Sequence, residues 1–338
     1  TNPQFDVADA DADPDDLLMR LQVVNGVMTV GTDPPTISGE GTDYIEMQGT
    51  LAQLNTALDS LAYTPASNWY GTDTLTVFVD DLGHNGIGSN ITTTLDIDIQ
   101  VSAVNDAPIN SVPGAQTTNE DTNLTFSTGN GNLISISDAD VSGDDLQVTV
   151  AVTNGTLSLA QTTGLTFSTG DGSSDATMTF TGSATDINSA LDGLIYAPTG
   201  DYNGADTLTI TTDDQGNNGS GGTLADTDTV AITVDAVNDA PINSVPGAQT
   251  TDEDTSLTFS TAGGNLISIS DVDASGDDMQ VTVAVTNGTL SLAQTTGLTF
   301  STGDGTTDTT MTFTGSATDI NSALDRLNYA PTGDNNGA

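Results

Sequence analysis

Residues 103–205 and 236–338 align at a constant offset of 133 and differ at thirteen of 103 positions. Self-similarity on this scale makes the chain a tandem array, in which each copy of the unit folds alike. Residues 9–102 form a third, more diverged copy. Asp9-Ala-Asp11 matches Asp138-Ala-Asp140, Asn25-Gly26 matches Asn154-Gly155, Tyr63-Thr-Pro65 matches Tyr196-Ala-Pro198, and Asp80-Asp81 matches Asp213-Asp214. The sequence Val-Asn-Asp-Ala-Pro, at 104–108 and again at 237–241, punctuates the copies. The expected organisation is a partial repeat at 1–103, a complete one at 104–236 and a partial one at 237–338. It reads as a window onto a longer array, each unit long enough to hold its own core.

Charge narrows the partners. The formal charge is −45, with no Lys, and the basic side chains are Arg20, Arg326 and the single His84. Phosphate recognition needs a basic surface, so nucleic acid is excluded as a partner. Adsorption to an anionic membrane is disfavoured for the same reason. No run is apolar enough to cross a bilayer and no signal-peptide pattern stands at Thr1. The acid is almost all Asp, with Glu only at Glu40, Glu46, Glu120 and Glu253. Asp suits turns, and its short side chain reaches a cation held close to the backbone. Cysteine is absent, so disulfides do not staple the units.

Within the complete repeat, alternating apolar and Thr-rich runs at 122–127, 133–136, 146–152, 156–159, 165–168, 178–181, 208–212 and 230–234 predict short strands. Asn154-Gly155 between two such runs predicts a hairpin with a type I′ turn. Ile187, Ala190, Leu191 and Leu194 fall at helical spacing behind Ser183-Ala-Thr-Asp186, which predicts one short helix opened by a capping box and bounded by Pro198. Short strands with frequent turns and one helix predict an all-β fold of tandem Greek-key β-sandwiches.

Acidic loops recur in each unit: Glu120-Asp121, Asp138 and Asp140 with Asp144-Asp145, Asp213-Asp214, and the hinge Asp235 with Asn238-Asp239. Two carboxylates ~4 Å apart repel by about 1 kcal/mol in water and about 4 kcal/mol at an effective dielectric near 20. With almost no Lys or Arg to neutralise them, clusters of this density call for a cation. Ca²⁺ fits, because it takes carboxylate, amide and carbonyl oxygens in flexible geometry and no soft ligands are present. Solvated turn residues are the simpler reading of any single Asp. Asp213-Asp214 lacks the nucleophile, base or electrophile of a catalytic site, so the chain reads as no enzyme. His84 reads as a loop substitution, and the Asn-x-Thr/Ser sites at Asn90, Asn123, Asn154, Asn218 and Asn287 as chance in a Thr-rich chain.

The order of these motifs resembles a cadherin repeat: Ile-Ser-Asp138-Ala-Asp140, then Asp206-Thr-Leu-Thr-Ile-Thr-Thr-Asp213-Asp, then Asp235-Ala-Val-Asn238-Asp239-Ala-Pro241. It is similar in particular to the cadherin-like tandem repeats of very large secreted bacterial adhesins of the RTX type, which share the 185–198 segment and the Val-Asn-Asp-Ala-Pro ending. The resemblance implies Ca²⁺ at each junction. The first would be bound by Asn105, Asp106, Asp138, Asp140 and Asp213. The second would use Glu120 upstream, Asp235, Asn238 and Asp239 in the linker, and Asp271 and Asp273 downstream. The pattern departs from cadherins in three places. The linker carries one extra residue, Ser102 stands where the first linker Asp is expected, and the upstream Leu-Asp-Arg-Glu motif is replaced by the helical segment. What the resemblance implies is a calcium-stiffened stalk or surface filament on the outside of a bacterial cell, serving adhesion or biofilm attachment. Its partners would be calcium, neighbouring repeats and, in a fibre, other copies. Two other readings stand beside it: a receptor- or polysaccharide-binding module, and separate chains joined head to tail.

Overall fold

The computed structural model describes residues 6–10, 15–31, 36–83, 89–141, 143–216 and 218–333. Asp11, His84, Asn217 and Asn335 lie outside the described residues, and with them the reading of His84. The chain is all-β, a series of tandem β-sandwiches with one short helix per repeat.

In the complete repeat, six strands form one sheet in the order Thr166–Thr169, Thr177–Gly182, Leu146–Ala151, Gly204–Asp213, Ala225–Asp235 and Gln116–Asn119. The other layer holds Leu124–Phe126, Leu194–Pro198 and Gly155–Ser158, with Ile109–Ser111 paired to Ser135–Ser137. Period-two alternation turns Leu146, Val148, Val150, Phe180, Leu208, Ile210, Val230, Ile232 and Val234 inward against Phe126, Ile134, Leu157, Leu194 and Tyr196, all buried. Thr fills the opposite face, and Thr149 and Thr179 hydrogen-bond across it at 2.9 Å. The Greek-key path is explicit. From Thr177–Gly182 the chain crosses through the helix Ala184–Leu191 to Leu194–Pro198, then returns as Gly204–Asp213 on the other flank of Leu146–Ala151.

Two local expectations change. Asn154-Gly155 is no hairpin, because the strands either side of it belong to different layers and neither residue has positive φ. It is the corner where the chain crosses the sandwich. Gly155 is required there by contact, since a Cβ would stand 2.5 Å from the Ala197 carbonyl oxygen and 2.6 Å from the Tyr196 ring. At the helix start, Ser183 Oγ accepts the Asp186 N–H at 3.1 Å, as a cap should. The Asp186 carboxylate then accepts the Ser183 hydroxyl at 2.7 Å instead of reaching back to the backbone, so the box is closed through side chains.

Strand pairing elsewhere repeats the scheme. A five-stranded sheet ordered Thr36–Ser38, Tyr44–Thr50, Asp16–Gln22, Gly71–Asp80 and Thr92–Val101 covers a core that includes Met19, Leu21, Ile45, Met47 and Val77. Past the second hinge, Asp278–Ala284, Thr310–Ser316 and Thr299–Thr302 form a three-stranded sheet over Met311, Phe313, Ile320 and Leu324. By contact density the chain divides into two compact units: Thr1–Thr199 with Gly204–Val234, and Gly200–Asn203 with Asp235–Ala338. No helix among the described residues is long and apolar enough to cross a membrane.

Candidate metal centre at the repeat hinge

The first hinge lies wholly inside the first unit and is built by three loops. Residues 103–105 run beside Ser220: the Asn105 N–H donates to the Ser220 carbonyl at 3.1 Å and the Ser220 N–H to the Ala103 carbonyl at 3.1 Å. Gly219 allows this approach, because a Cβ there would stand 2.5 Å from the Asn105 nitrogen. Asn105 is thereby buried, and its Nδ2 donates to Asp214 Oδ2 and, at 2.9 Å, to the Gly222 carbonyl. Next along the chain, the Asp106 N–H donates to Asp140 Oδ2. Asp138 Oδ1 accepts the Asp140 N–H at 2.8 Å, folding the Asp-x-Asp loop on itself.

A helix holds that loop in place. Asn188, on Ala184–Leu191, accepts the Ile136 N–H on Oδ1 at 2.8 Å and donates from Nδ2 to the Ile136 carbonyl at 2.9 Å. Its amide thus pairs like a strand neighbour with the residue two places before Asp138. Asn321 does the same to Ile269, two before Asp271, and Asn55 to Val7, two before Asp9. On the far side of the loop, Asn218 Nδ2 donates to the Asp140 carbonyl at 3.0 Å and to Asp144 Oδ2 at 2.7 Å.

Two oxygens in this assembly are buried and lack any hydrogen-bond partner: Asn105 Oδ1 and Asp138 Oδ2. A buried polar atom left unpaired costs about 1–3 kcal/mol, more for a charged group, and native proteins rarely leave one. Protein cations do not answer the need. The one ion pair among the described residues joins Arg20 to Glu46 at 2.8 Å, away from the hinge. The available ligands are carboxylate and amide oxygens on loops held by hydrogen bonds, which suit a hard divalent cation.

The acidic pair is used differently from the expectation. Asp213, the residue assigned to the hinge from sequence, is half-buried at the end of its strand and accepts the Gln215 N–H at 2.6 Å. Asp214 is the one that meets Asn105, and it is fully buried. Adjacent residues on a strand face opposite ways, so only one of the pair can turn to the hinge. Burial would push the Asp214 carboxyl upward. The N–H groups of Leu224 and Gly216 and the Asn105 amide outweigh it and hold the pKa below the usual carboxylate value.

The second unit repeats part of the arrangement. The Asp239 N–H donates to Asp273 Oδ2, and Asp271 Oδ1 accepts the Asp273 N–H at 3.0 Å. The Asp239 carboxylate has oxygens within 4.8 Å of those of Asp273 and of Asp201. Asp201 did not stand out in sequence; its signal is a left-handed φ of 58° in a Gly-Asp turn. Asn238 is exposed, unlike Asn105, and its Nδ2 donates to the Asp239 carbonyl at 3.0 Å. The positions equivalent to Asp214, Ser220 and Gly222 fall beyond residue 338, which accounts for the difference. Asp235 is exposed at the end of its strand. Glu120, in the first unit, is buried in the turn that follows Gln116–Asn119.

No family model matches the chain and no curated protein matches it either. Solved structures to which it is similar include mouse cadherin-23 EC22-24, at 13% identity and a TM-score of 0.31, covering 88% of this chain and 75% of that one. Human CDH23 EC21-23 matches at 15% identity and a TM-score of 0.32, with 94% and 80% covered. Domains 1-6 of the surface layer protein SbsC match at 14% identity and a TM-score of 0.19, with 88% and 28% covered.

Proposed function

We propose that the chain is a segment of an extracellular, calcium-stiffened stalk or surface filament of the bacterial adhesin type, with Ca²⁺ held at each repeat hinge. The observation that carries this reading is the pair of buried, unpartnered oxygens at the first hinge, Asn105 Oδ1 and Asp138 Oδ2. There Asn105, Asp106, Asp138, Asp140 and Asp214 would hold the ion. At the second hinge Asp235, Asn238, Asp239, Asp271 and Asp273 would serve, with Asp201 added. Calcium when bound supplies positive charge and fixes the linker to the Asp-x-Asp loop. Without it the carboxylates repel and the joint slackens. Near-identity of the two long repeats suits a stalk, in which each unit does the same mechanical work.

Isothermal titration calorimetry of the intact chain with CaCl₂ tests the reading. Saturable binding that weakens at least tenfold in Asp138→Ala supports it. Heats no larger than those of dilution, or an affinity unchanged by Asp138→Ala, would contradict it.

A further inference from the structure

The first repeat differs from the other two at one corner of its surface. On either side of Asn25-Gly26, Val24 and Val27 stand where the later copies have Thr153 and Thr156, then Thr286 and Thr289. In the turn that follows Ala62–Pro65, Trp69-Tyr70 stands where those copies have Tyr202-Asn203 and Asn335-Asn336. The exchanged side chains remain in solvent: Val24 is 75% exposed, Tyr70 43% and Val27 40%, with Trp69 half-buried. The complete repeat leaves the same positions open, with Thr153 and Asn203 exposed and Thr156 and Tyr202 half-buried, so the opening belongs to the fold of the unit. Single exposed apolar residues are ordinary, whereas several brought to one corner form a surface of the kind that meets a ligand.

Val24, Asn25, Val27, Asp43, Thr64 and Pro65 line a shallow groove of about 540 Å³. Its wall continues through Ala66, whose carbonyl accepts the Trp69 N–H at 3.2 Å, and this turn sets the two aromatic residues beside the groove. The side chains of Asn25, Asp43 and Thr64 make no hydrogen bond among the described residues, and no basic side chain lines the groove. Strand Gly26–Thr29 has a neighbour on each side, Ala62–Pro65 on one and the Met28–Thr42 bridge on the other, so a polypeptide finds no strand edge to extend here.

We propose that this groove, with Trp69 and Tyr70, binds a neutral polysaccharide, a function separate from the hinges and using none of their residues. A hexose ring has a C–H face that packs on an aromatic ring and a rim of hydroxyls that donate to carboxylate and amide oxygens. The groove offers both: Trp69, Tyr70 and the two valines for the face, and the Asp43 carboxylate, Asn25 amide and Thr64 hydroxyl for the rim. Acidic sugars are turned away, because their carboxylates would meet Asp43 on a chain of charge −45 with no Lys or Arg in the groove.

Trp69 is the single Trp of the chain, so its emission reports on this corner directly. The test titrates the intact chain with dextran, glycogen, laminarin and galactomannan, and with alginate as the anionic control, in CaCl₂ and in EGTA. Trp emission and retardation in native affinity gels are followed together. At least one neutral polymer moves the emission to shorter wavelength and retards the chain in both conditions, and alginate does neither. Val24→Thr/Val27→Thr/Tyr70→Asn, which carries the residues of the complete repeat, binds at least tenfold more weakly with an unchanged melting temperature. Asp43 is exposed, so Asp43→Asn tests the groove without touching the core, and it weakens binding roughly tenfold. No response to any of the four neutral polymers, an equal response to alginate, or unchanged binding by both variants overturns the proposal. Because the EGTA arm is scored alone, loss of the calcium reading leaves this result standing.

Discussion

Asp206 and Asp138 are both carboxylates with buried oxygens, and the contrast between them carries the residue-scale account. Asp206 takes donors from Tyr196, Thr153, Asn154 and Thr207; Asp138 Oδ2 takes none. At Asp206 this chain satisfies a buried carboxylate wholly with protein donors. Tyr196→Phe removes one donor to a charged group and is expected to cost about 1.5–3 kcal/mol, read by urea denaturation. The first repeat builds the same clamp from Asp73, Tyr63 and Asn25. There burial and the Asp73 carboxylate push the Tyr63 phenol up to about 12. Burial alone would raise Asp73, but the N–H of Asn25, the Tyr63 hydroxyl and the N–H groups of Val24 and Thr74 together hold it below the ordinary value. The sign follows for each group. Asp73 adds stability above the ordinary carboxylate range, lost as pH falls through its depressed pKa. Tyr63 adds stability below pH ~10, lost as pH rises toward 12. Melting followed against pH should show both losses, and Tyr63→Phe should shrink the alkaline one, to which Tyr44, also raised, still contributes. Arg326 offers a gain: it holds φ of 79° where the matching residue, Gly193, has 110°. Arg326→Gly should stabilise the third repeat by about 1 kcal/mol, a rise that thermal denaturation detects.

Among the elements, strands and helix were legible in the sequence because alternation and helical spacing report burial directly. The capped helix lies at Ala184–Leu191 behind Ser183, as its pattern indicates. The Asn-Gly corner was not legible as such. Periodicity records which face is buried but not which layer a strand joins, so Leu146–Ala151 and Gly155–Ser158 look like a hairpin until their partners are known. Site residues divide in the same way. The spacing of Asp138 and Asp140 draws notice in the sequence, whereas which of Asp213 and Asp214 turns to Asn105 depends on the phase of a strand end. Asn188 gave no signal, since a polar residue on an amphipathic helix reads as solvent-facing. Yet its amide replaces a strand partner for Ile136 and so fixes the Asp-x-Asp loop. Asn188→Ala is expected to destabilise the complete repeat by about 1–3 kcal/mol and to weaken calcium binding at the first hinge. Paired denaturation and calorimetric titration of that variant check both effects.

For the whole molecule, the governing quantity is a charge of −45 with two Arg and no Lys. Charge of one sign and this size repels anionic surfaces and raises the local concentration of counter-ions from solution. A cation that binds only the folded form contributes about 2.7 kcal/mol at a hundredfold excess over its dissociation constant. Across domains of this size that corresponds to a shift of roughly 5–10 °C per linked site. The most direct test is the melting of the intact chain by scanning calorimetry in CaCl₂ and in EGTA at matched ionic strength. A transition that moves up by this amount in calcium, and not in an equal concentration of MgCl₂, is the predicted result. Superimposable scans in calcium and chelator would contradict the assignment of the hinges as calcium sites.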